Sequence, residues 1–219
     1  MMSLILYAHP LSSYCWKVLI ALYENETPFS FRQLDFDNEE VGREFAALWP
    51  IAKMPILVDH GRTVVESSVI IEYLGLHHRG PIGFVPHHAD PDPALKVREM
   101  DRVFDNYVMT PMQNVVFDRI RPADSRDPYG VAASRALLDK AYDWLEGELT
   151  GRFWAAGEDF SLADCSAAPA LHYAEKVHPF RNSHPALAAY LDRLAARPSF
   201  ARVLKEAEPF AHMFPQEPA

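Results

Sequence analysis

Between positions 4 and 79 the apolar residues change their period every few positions. Positions 4–8, Leu-Ile-Leu-Tyr-Ala, form an unbroken apolar run that reads as a short buried strand. Ser12 and Ser13 then offer N-cap oxygens to a helix reaching about Glu24, with Trp16, Leu19, Ile20 and Tyr23 at helical spacing. Positions 29–34 alternate for most of their length as a half-buried strand does. A polar stretch with weak helical pattern covers 38–48. Positions 55–59 and 63–65 flank His60-Gly61 and predict a hairpin, after which Ser67 or Ser68 caps a helix carrying Val69, Ile70, Tyr73, Leu74 and His77. The order β-α-β-α-β-β-α joins a parallel crossover to an antiparallel hairpin, which means a mixed sheet covered by helices.

Four prolines, Pro81, Pro86, Pro91 and Pro93, then interrupt the pattern, and the stretch 80–93 reads as a linker. Beyond it strand signals vanish. Segments 94–120, 131–149, 162–177, 185–196 and 200–207 all carry helical apolar spacing. The chain thus divides into an α/β domain over 1–79 and an all-α domain over 94–219. Ser161 and Asp164 have the spacing of a capping box, with Phe160 and Cys165 as its hydrophobic staple. Pro169 lies inside the same helix and is expected to kink it.

Composition narrows the function classes. The 219 residues are 49% hydrophobic and 23% charged, an ordinary globular balance. The net charge of -9 speaks against nucleic acid or an anionic membrane as the main partner, so an anionic ligand has to be held by local donors. No apolar run approaches the ~20 residues of a membrane span, and positions 1–7 lack the basic and apolar regions of a secretion signal. Cys15 and Cys165 make neither a disulfide framework nor a metal pattern, which fits a reducing, cytoplasmic setting. The adjacent pairs His77-His78 and His87-His88 do not share a helix face as metal ligands do, so no metal is expected.

Several segments together carry a resemblance. The run Leu6-Tyr7-Ala8-His9-Pro10-Leu11-Ser12-Ser13-Tyr14-Cys15-Trp16-Lys17-Val18 is similar to the first strand, loop and helix of serine-type cytosolic glutathione S-transferases. The zeta class is nearest, and the pattern also suits a bacterial theta- or tau-like member. Lys53-Met54-Pro55 resembles the segment before the family's cis-proline, and Glu66-Ser67 with Ile71-Glu72-Tyr73-Leu74 resembles its glutathione-binding turn and helix. Ser161-Leu162-Ala163-Asp164 is similar to the capping box of its helical domain. The resemblance implies a thioredoxin-like N-terminal domain followed by an all-helical one. It further implies glutathione as co-substrate, a small hydrophobic electrophile as second substrate, a role in detoxification and a two-fold homodimer.

Glutathione chemistry needs a thiolate, yet a free thiol of pKa about 8.5 is only a few per cent ionised at neutral pH. A hydroxyl donor together with a helix N-terminus can stabilise the anion. Ser12 lies where the loop turns into the first helix and either caps it or donates to the sulfur; Ser13, one residue on, can do the same. Ser12-x-x-Cys15 resembles a redox pair whose leading cysteine is replaced, so Cys15 is expected in the core, as is Tyr7. By the resemblance, Pro55 follows a cis bond that presents the backbone of Met54 to the cysteinyl residue, and Lys53 meets the glycine carboxylate. Glu66 would pair with the γ-glutamyl ammonium, with Ser67 and the helix behind it holding the carboxylate.

The second substrate stays open. Lys176 after Ala174-Glu175, where zeta enzymes carry arginine, and Leu11 in place of a basic residue both weaken the case for a dianionic substrate. Conjugation, peroxide reduction, dehalogenation and isomerisation use the same thiolate, and a non-catalytic binding module on this fold is the alternative class. Tyr107, Met109, Met112 and Phe117 could line an electrophile pocket, but core packing is the expected role for most of them. The acids Glu99, Asp101 and Asp105 suggest a helix that covers its own domain with one face. Asp101 or Asp105 would then reach glutathione in a partner subunit.

Overall fold

A computed structural model describes residues 4–35, 38–86 and 91–217. The pair His87-His88 falls outside these residues. Strands β1 (Leu4–Ala8), β2 (Ser30–Gln33), β3 (Ile56–Asp59) and β4 (Arg62–Val65) form one sheet in the order β2-β1-β3-β4. β1 runs parallel to β2 and antiparallel to β3, and β3 pairs with β4 across the hairpin at His60-Gly61. Both turn residues have positive φ, 48° and 85°, the backbone that a tight two-residue hairpin turn requires.

The alternation along β1 sets the layers. Leu4, Leu6 and Ala8 point into the large core beneath α1 (Ser13–Glu24) and α3 (Ser67–His77). Tyr7 points to the opposite face, in a smaller cluster with Ile56 and with Val41 and Phe45 of α2 (Glu39–Leu48). β2 is more exposed than its alternation predicts, because only Ser30 is partly buried. As an edge strand it has a single neighbour.

The remaining described helices follow the prolines: α4 (Asp92–Val103), a π-helical turn over Phe104–Met109, α5 (Thr110–Arg119), α6 (Pro128–Leu149), α7 (Leu162–Val177), α8 (Pro185–Ala195) and α9 (Pro198–Ala207). The large core is continuous from β1 through α1 into these helices, with α7 packed against α1, α4 and α8. At the start of α7 the fully buried Asp164 accepts from the Ser161 N–H at 2.8 Å, the Ala155 N–H at 2.9 Å, the Tyr190 hydroxyl at 2.6 Å and the Ser161 hydroxyl at 3.0 Å. The capping box is therefore also a buried hub that ties α7 to α8. Burial pushes the Asp164 carboxyl up, and these donors oppose the shift. α7 continues through Pro169.

Trp16 joins the sheet layer to the helices. Its ring packs on His172 at 5.4 Å, Tyr173 at 4.8 Å and Phe200 at 6.0 Å. Burial in this aromatic nest pulls His172 down to about 4, with the Lys176 ammonium adding to the effect. A histidine depressed in the fold binds its proton more readily in the unfolded chain. It therefore supports the fold above about pH 6.5 and ceases to as pH falls toward 4. A His172→Phe variant is expected to lose less stability over that window than the parent, by up to ~3 kcal/mol. Urea melts at pH 7, 5.5 and 4.5 check this, and parallel curves for the two proteins would rule it out.

Candidate functional site

α1 begins at a loop whose carbonyls are held from outside. The Trp16 indole donates to the Pro10 carbonyl at 2.6 Å and the Tyr173 hydroxyl to the Leu11 carbonyl at 2.9 Å. The Ser12 N–H closes the loop on the His9 carbonyl at 3.0 Å. These three donors fix the approach to the helix, and so the position of its first residues. Ser12 is the N-cap, in extended backbone, and its oxygen accepts from the Cys15 N–H at 3.4 Å. The hydroxyl proton rotates about Cβ–Oγ and can turn toward the adjacent cavity. Ser13 is more deeply buried, and its oxygen accepts from the Gln113 side chain at 3.4 Å.

That cavity, of about 940 Å³, is lined by all seven residues singled out in the sequence: Ser12, Ser13, Lys53, Met54, Pro55, Glu66 and Ser67. They come from three separate stretches: the start of α1, the loop before β3, and the start of α3. The Met54–Pro55 bond is cis. Neither Ser67 nor Ser68 caps α3 with its side chain: Glu66 occupies the cap position at φ 68°, with no side-chain capping bond. This backbone is costly for a non-glycine residue, and it sets Glu66 and Ser67 at the cavity rather than in a regular cap. Ser68 instead turns inward to Lys17, Asp101 and Arg102. Among the described residues the side chains of Lys53, Glu66 and Ser67 have no hydrogen-bond or ion-pair partner, which leaves them available to a ligand.

Other hydroxyls and thiols are poorer candidates. Burial pushes the Cys15 thiol up to about 12, against the Ser12 hydroxyl and the His9 backbone. The Tyr7 hydroxyl donates to Glu44 at 2.7 Å on the far face of the sheet. Burial, followed by that bond, raises its pKa to about 12. Tyr14 lines the cavity, yet burial and then the Asp105 charge raise it to about 12 as well.

The apolar wall divides the four residues left open in the sequence. Met112 and Phe117 line the cavity with Leu11, Val116 and Ile120; Met109 is fully buried elsewhere, and Tyr107 is half exposed. Tyr107 and Met109 lie within the π-helical turn, while Met112 and Phe117 lie beyond it on α5. Met213, Phe214 and Pro215 complete the wall, and no sequence signal marked them. Arg102, Asn106 and Gln113 add polar lining that was also missed, and Asp105 lines the same cavity.

Asp101 and Asp105, expected to face a partner subunit, are both buried and ion-paired within this chain. Lys17, fully buried in α1, donates to Asp101 at 2.8 Å and to both oxygens of Asp105 at 3.0 and 2.9 Å. Arg102 closes the group at 2.6 Å from Asp101 and 2.7 Å from Asp105, and Ser166 donates to Asp101. Burial and the neighbouring Asp101 push Asp105 up against the pull of Lys17. In Asp101 burial is outweighed by Lys17, and the carboxyl lies below its usual range. A clue was present: two acids four residues apart on one helix repel unless a cation sits between them.

Two family models match the chain, the N-terminal domain of glutathione S-transferases over residues 2–75 and their C-terminal domain over 128–193. The chain belongs to the glutathione S-transferase family. A glutathione S-transferase of Methylobacterium radiotolerans, solved in complex with glutathione sulfonate, is 30% identical with TM-score 0.79, over 91% of this chain and 93% of its own. One from Methylobacillus flagellatus with glutathione bound is 25% identical with TM-score 0.83, over 92% and 98%. Among curated relatives, a probable maleylacetoacetate isomerase of Vibrio cholerae is 29% identical over 96% of this chain and 100% of its own. Glutathione S-transferase F13 of Arabidopsis thaliana is 27% identical over 92% and 95%. The mixed sheet followed by helices is thus the glutathione transferase fold, a thioredoxin-like part and an all-α part. Among the described residues, no cluster of three or more His, Cys, Asp or Glu could hold a metal. No helix among them is long and apolar enough to cross a membrane.

Proposed function

We propose that this protein binds glutathione and activates its thiol for attack on a small hydrophobic electrophile. The carrying observation is that seven polar and backbone elements from three stretches line one cavity whose other wall is apolar. Ser12 is the hydroxyl donor to the sulfur, aided by the N-terminal end of α1, with Ser13 as the neighbouring alternative. The backbone of Met54, before Pro55, pairs with the cysteinyl residue in the manner of an added strand, and Lys53 takes the glycine carboxylate. Glu66 takes the γ-glutamyl ammonium, and Ser67 with the first turn of α3 takes the carboxylate. Leu11, Met112, Val116, Phe117, Ile120 and Phe214 receive the electrophile.

The division into a glutathione-binding domain (1–79), a linker (80–93) and a helical domain (94–219), the cytoplasmic setting and the detoxifying role belong to the same reading. So does the homodimer; light scattering at the 24.8 kDa of one chain, with glutathione binding intact, would remove it. A glutathione-dependent isomerase is the second reading, favoured by relatives named probable maleylacetoacetate isomerase in Vibrio cholerae and Caenorhabditis elegans. Peroxidase chemistry uses the same thiolate. A panel of aryl halides, hydroperoxides and a cis enediacid separates these reactions, and glutathione binding without turnover on any of them would leave only a binding module.

Loss of one charge-assisted contact costs on the order of 1.5–3 kcal/mol. Glu66→Gln is therefore expected to weaken glutathione binding roughly ten- to a hundredfold, with turnover at saturation little changed. Calorimetric titration measures this, and equal affinity in the two proteins would leave Glu66 with no part in recognition.

A further inference from the structure

A second cavity, of about 670 Å³, opens between α5 and α6, away from the glutathione site. Three guanidinium groups line it: Arg119 on α5, Arg126 in the following loop and Arg135 on α6. Two of them, Arg119 and Arg135, share a single carboxylate oxygen. Glu217 Oε1 accepts from Arg119 at 3.3 Å and from Arg135 at 2.5 Å. The Arg119 side chain is only 8% exposed, and its remaining terminal nitrogen donates to the Pro215 carbonyl at 3.0 Å. Among the described residues the buried Nε atoms of Arg119 and Arg135 have no acceptor, and Arg126 has no hydrogen-bond or ion-pair partner.

Two other acids face this cavity, and both are engaged. Asp118 accepts from the Asp127 N–H at 2.7 Å and from Arg121 at 3.4 Å, while Asp139 meets His178 at 2.6 Å. A guanidinium has five donors and cannot lose its charge. Buried donors without acceptors cost roughly 1–3 kcal/mol each. The donor capacity here exceeds what one oxygen of Glu217 supplies.

We propose that the cleft between α5 and α6 is a binding site for a small carboxylate-bearing molecule, which Arg119 and Arg135 grip in competition with Glu217. A carboxylate presents two coplanar acceptors to a guanidinium fork, the geometry that the unpaired Nε donors call for. Occupation reaches the catalytic cavity through the chain. Arg119 holds the Pro215 carbonyl and Glu217 lies two residues further on, while Met213, Phe214 and Pro215 wall the apolar side of the glutathione cavity. Phe214 stacks on Tyr173 at 5.4 Å, so displacement of Glu217 loosens one end of a strap whose other end stays packed.

Succinate is the probe, titrated calorimetrically with the full chain. It is expected to bind one site per chain. Glu217→Gln, which removes the resident competitor, should tighten binding about tenfold, and Arg135→Gln should weaken it by roughly ten- to a hundredfold. Hydrogen exchange at residues 213–217 should rise when succinate binds. Arg135 is partly exposed, so its variant is expected to fold even if Arg119→Gln does not. Succinate binding that is indifferent to both Glu217→Gln and Arg135→Gln would overturn the proposal and assign the heat to Lys53 and Arg102 in the glutathione cavity. Inorganic phosphate binding as tightly, with the same dependence on Arg135, would overturn the carboxylate assignment.

Discussion

Turnover of the Ser12→Ala variant is expected to fall by about 10²–10³, the cost of removing one donor from a developing or resident anion. The pKa of glutathione bound to it should rise toward the free value of about 8.5. Stability should change far less. Ser12 also caps α1, and loss of a cap costs ~1 kcal/mol, or about 2–4 °C in a chain of this size. The pairing of a large catalytic loss with a small thermal one separates the two roles of the hydroxyl, since a cap alone would give only the second. Ultraviolet titration of the bound thiolate, with conjugation rates across pH, provides both readouts. The same losses in Ser13→Ala and not in Ser12→Ala would move the role by one residue. Unchanged thiol pKa in both variants would end hydroxyl activation as an account of this site. Ser12 is favoured because it is the less buried of the two residues and its loop is held by Trp16 and Tyr173.

Removal of the Lys17 charge is expected to produce the largest loss of stability. Lys17→Met keeps the length of the side chain but leaves Asp101 and Asp105 facing each other in a buried site, with only Arg102 to offset them. Breaking a buried ion pair by deleting one partner costs about 3–5 kcal/mol, which for this length lowers Tm by about 6–20 °C at pH 7. The pH dependence carries the sign. In the parent the depressed Asp101 supports the fold above its unfolded pKa, and that support fades as pH falls through its lower folded value. In the variant both acids are raised by burial and by each other, so the fold binds protons more readily than the unfolded chain and gains stability as pH falls toward about 4. The difference between the two proteins should therefore narrow from pH 7 to pH 4.5 in thermal melts. A gap that is absent at pH 7, or constant across that range, would mean that the pair is screened and energetically idle.

The arrangement also says why such a group sits where it does. Lys17 is on α1, Ser68 on α3, Asp101 on α4 and Ser166 on α7, so one cluster ties the helix that begins at Ser12 to the helix that begins at Glu66 and Ser67. Both ends of the proposed glutathione site thereby rest on a common buried support. Its partial loss in Lys17→Met should lower glutathione affinity as well as Tm.

Much of this was legible along the chain, because the features concerned are local. The element order follows from period changes within short windows. The hairpin follows from His60-Gly61, and the start of α7 from Ser161 and Asp164, three residues apart. The seven residues of the candidate site were picked out chiefly by resemblance to the family's segments, and they stand at the starts of helices and before a strand, where backbone donors are left over. Their meeting in one cavity was beyond the sequence, because it depends on how far each element travels before it turns.

What only the tertiary structure decided involves partners far apart in the chain. Lys17 meets Asp101 and Asp105 across 84 and 88 positions, and Tyr173 holds Leu11 across 162. No window sees such pairs, and a lysine beside Trp16 and Val18 gives no sign of the acids it faces. The assignment of Tyr107, Met109, Met112 and Phe117 stayed open because apolar residues read the same whether they fill a core or line a pocket. Local backbone preferences act over a few residues and are written in sequence order. The apolar wall, the strap at 213–217 and the buried charge cluster depend on packing between elements, where burial is set by whatever the fold brings alongside.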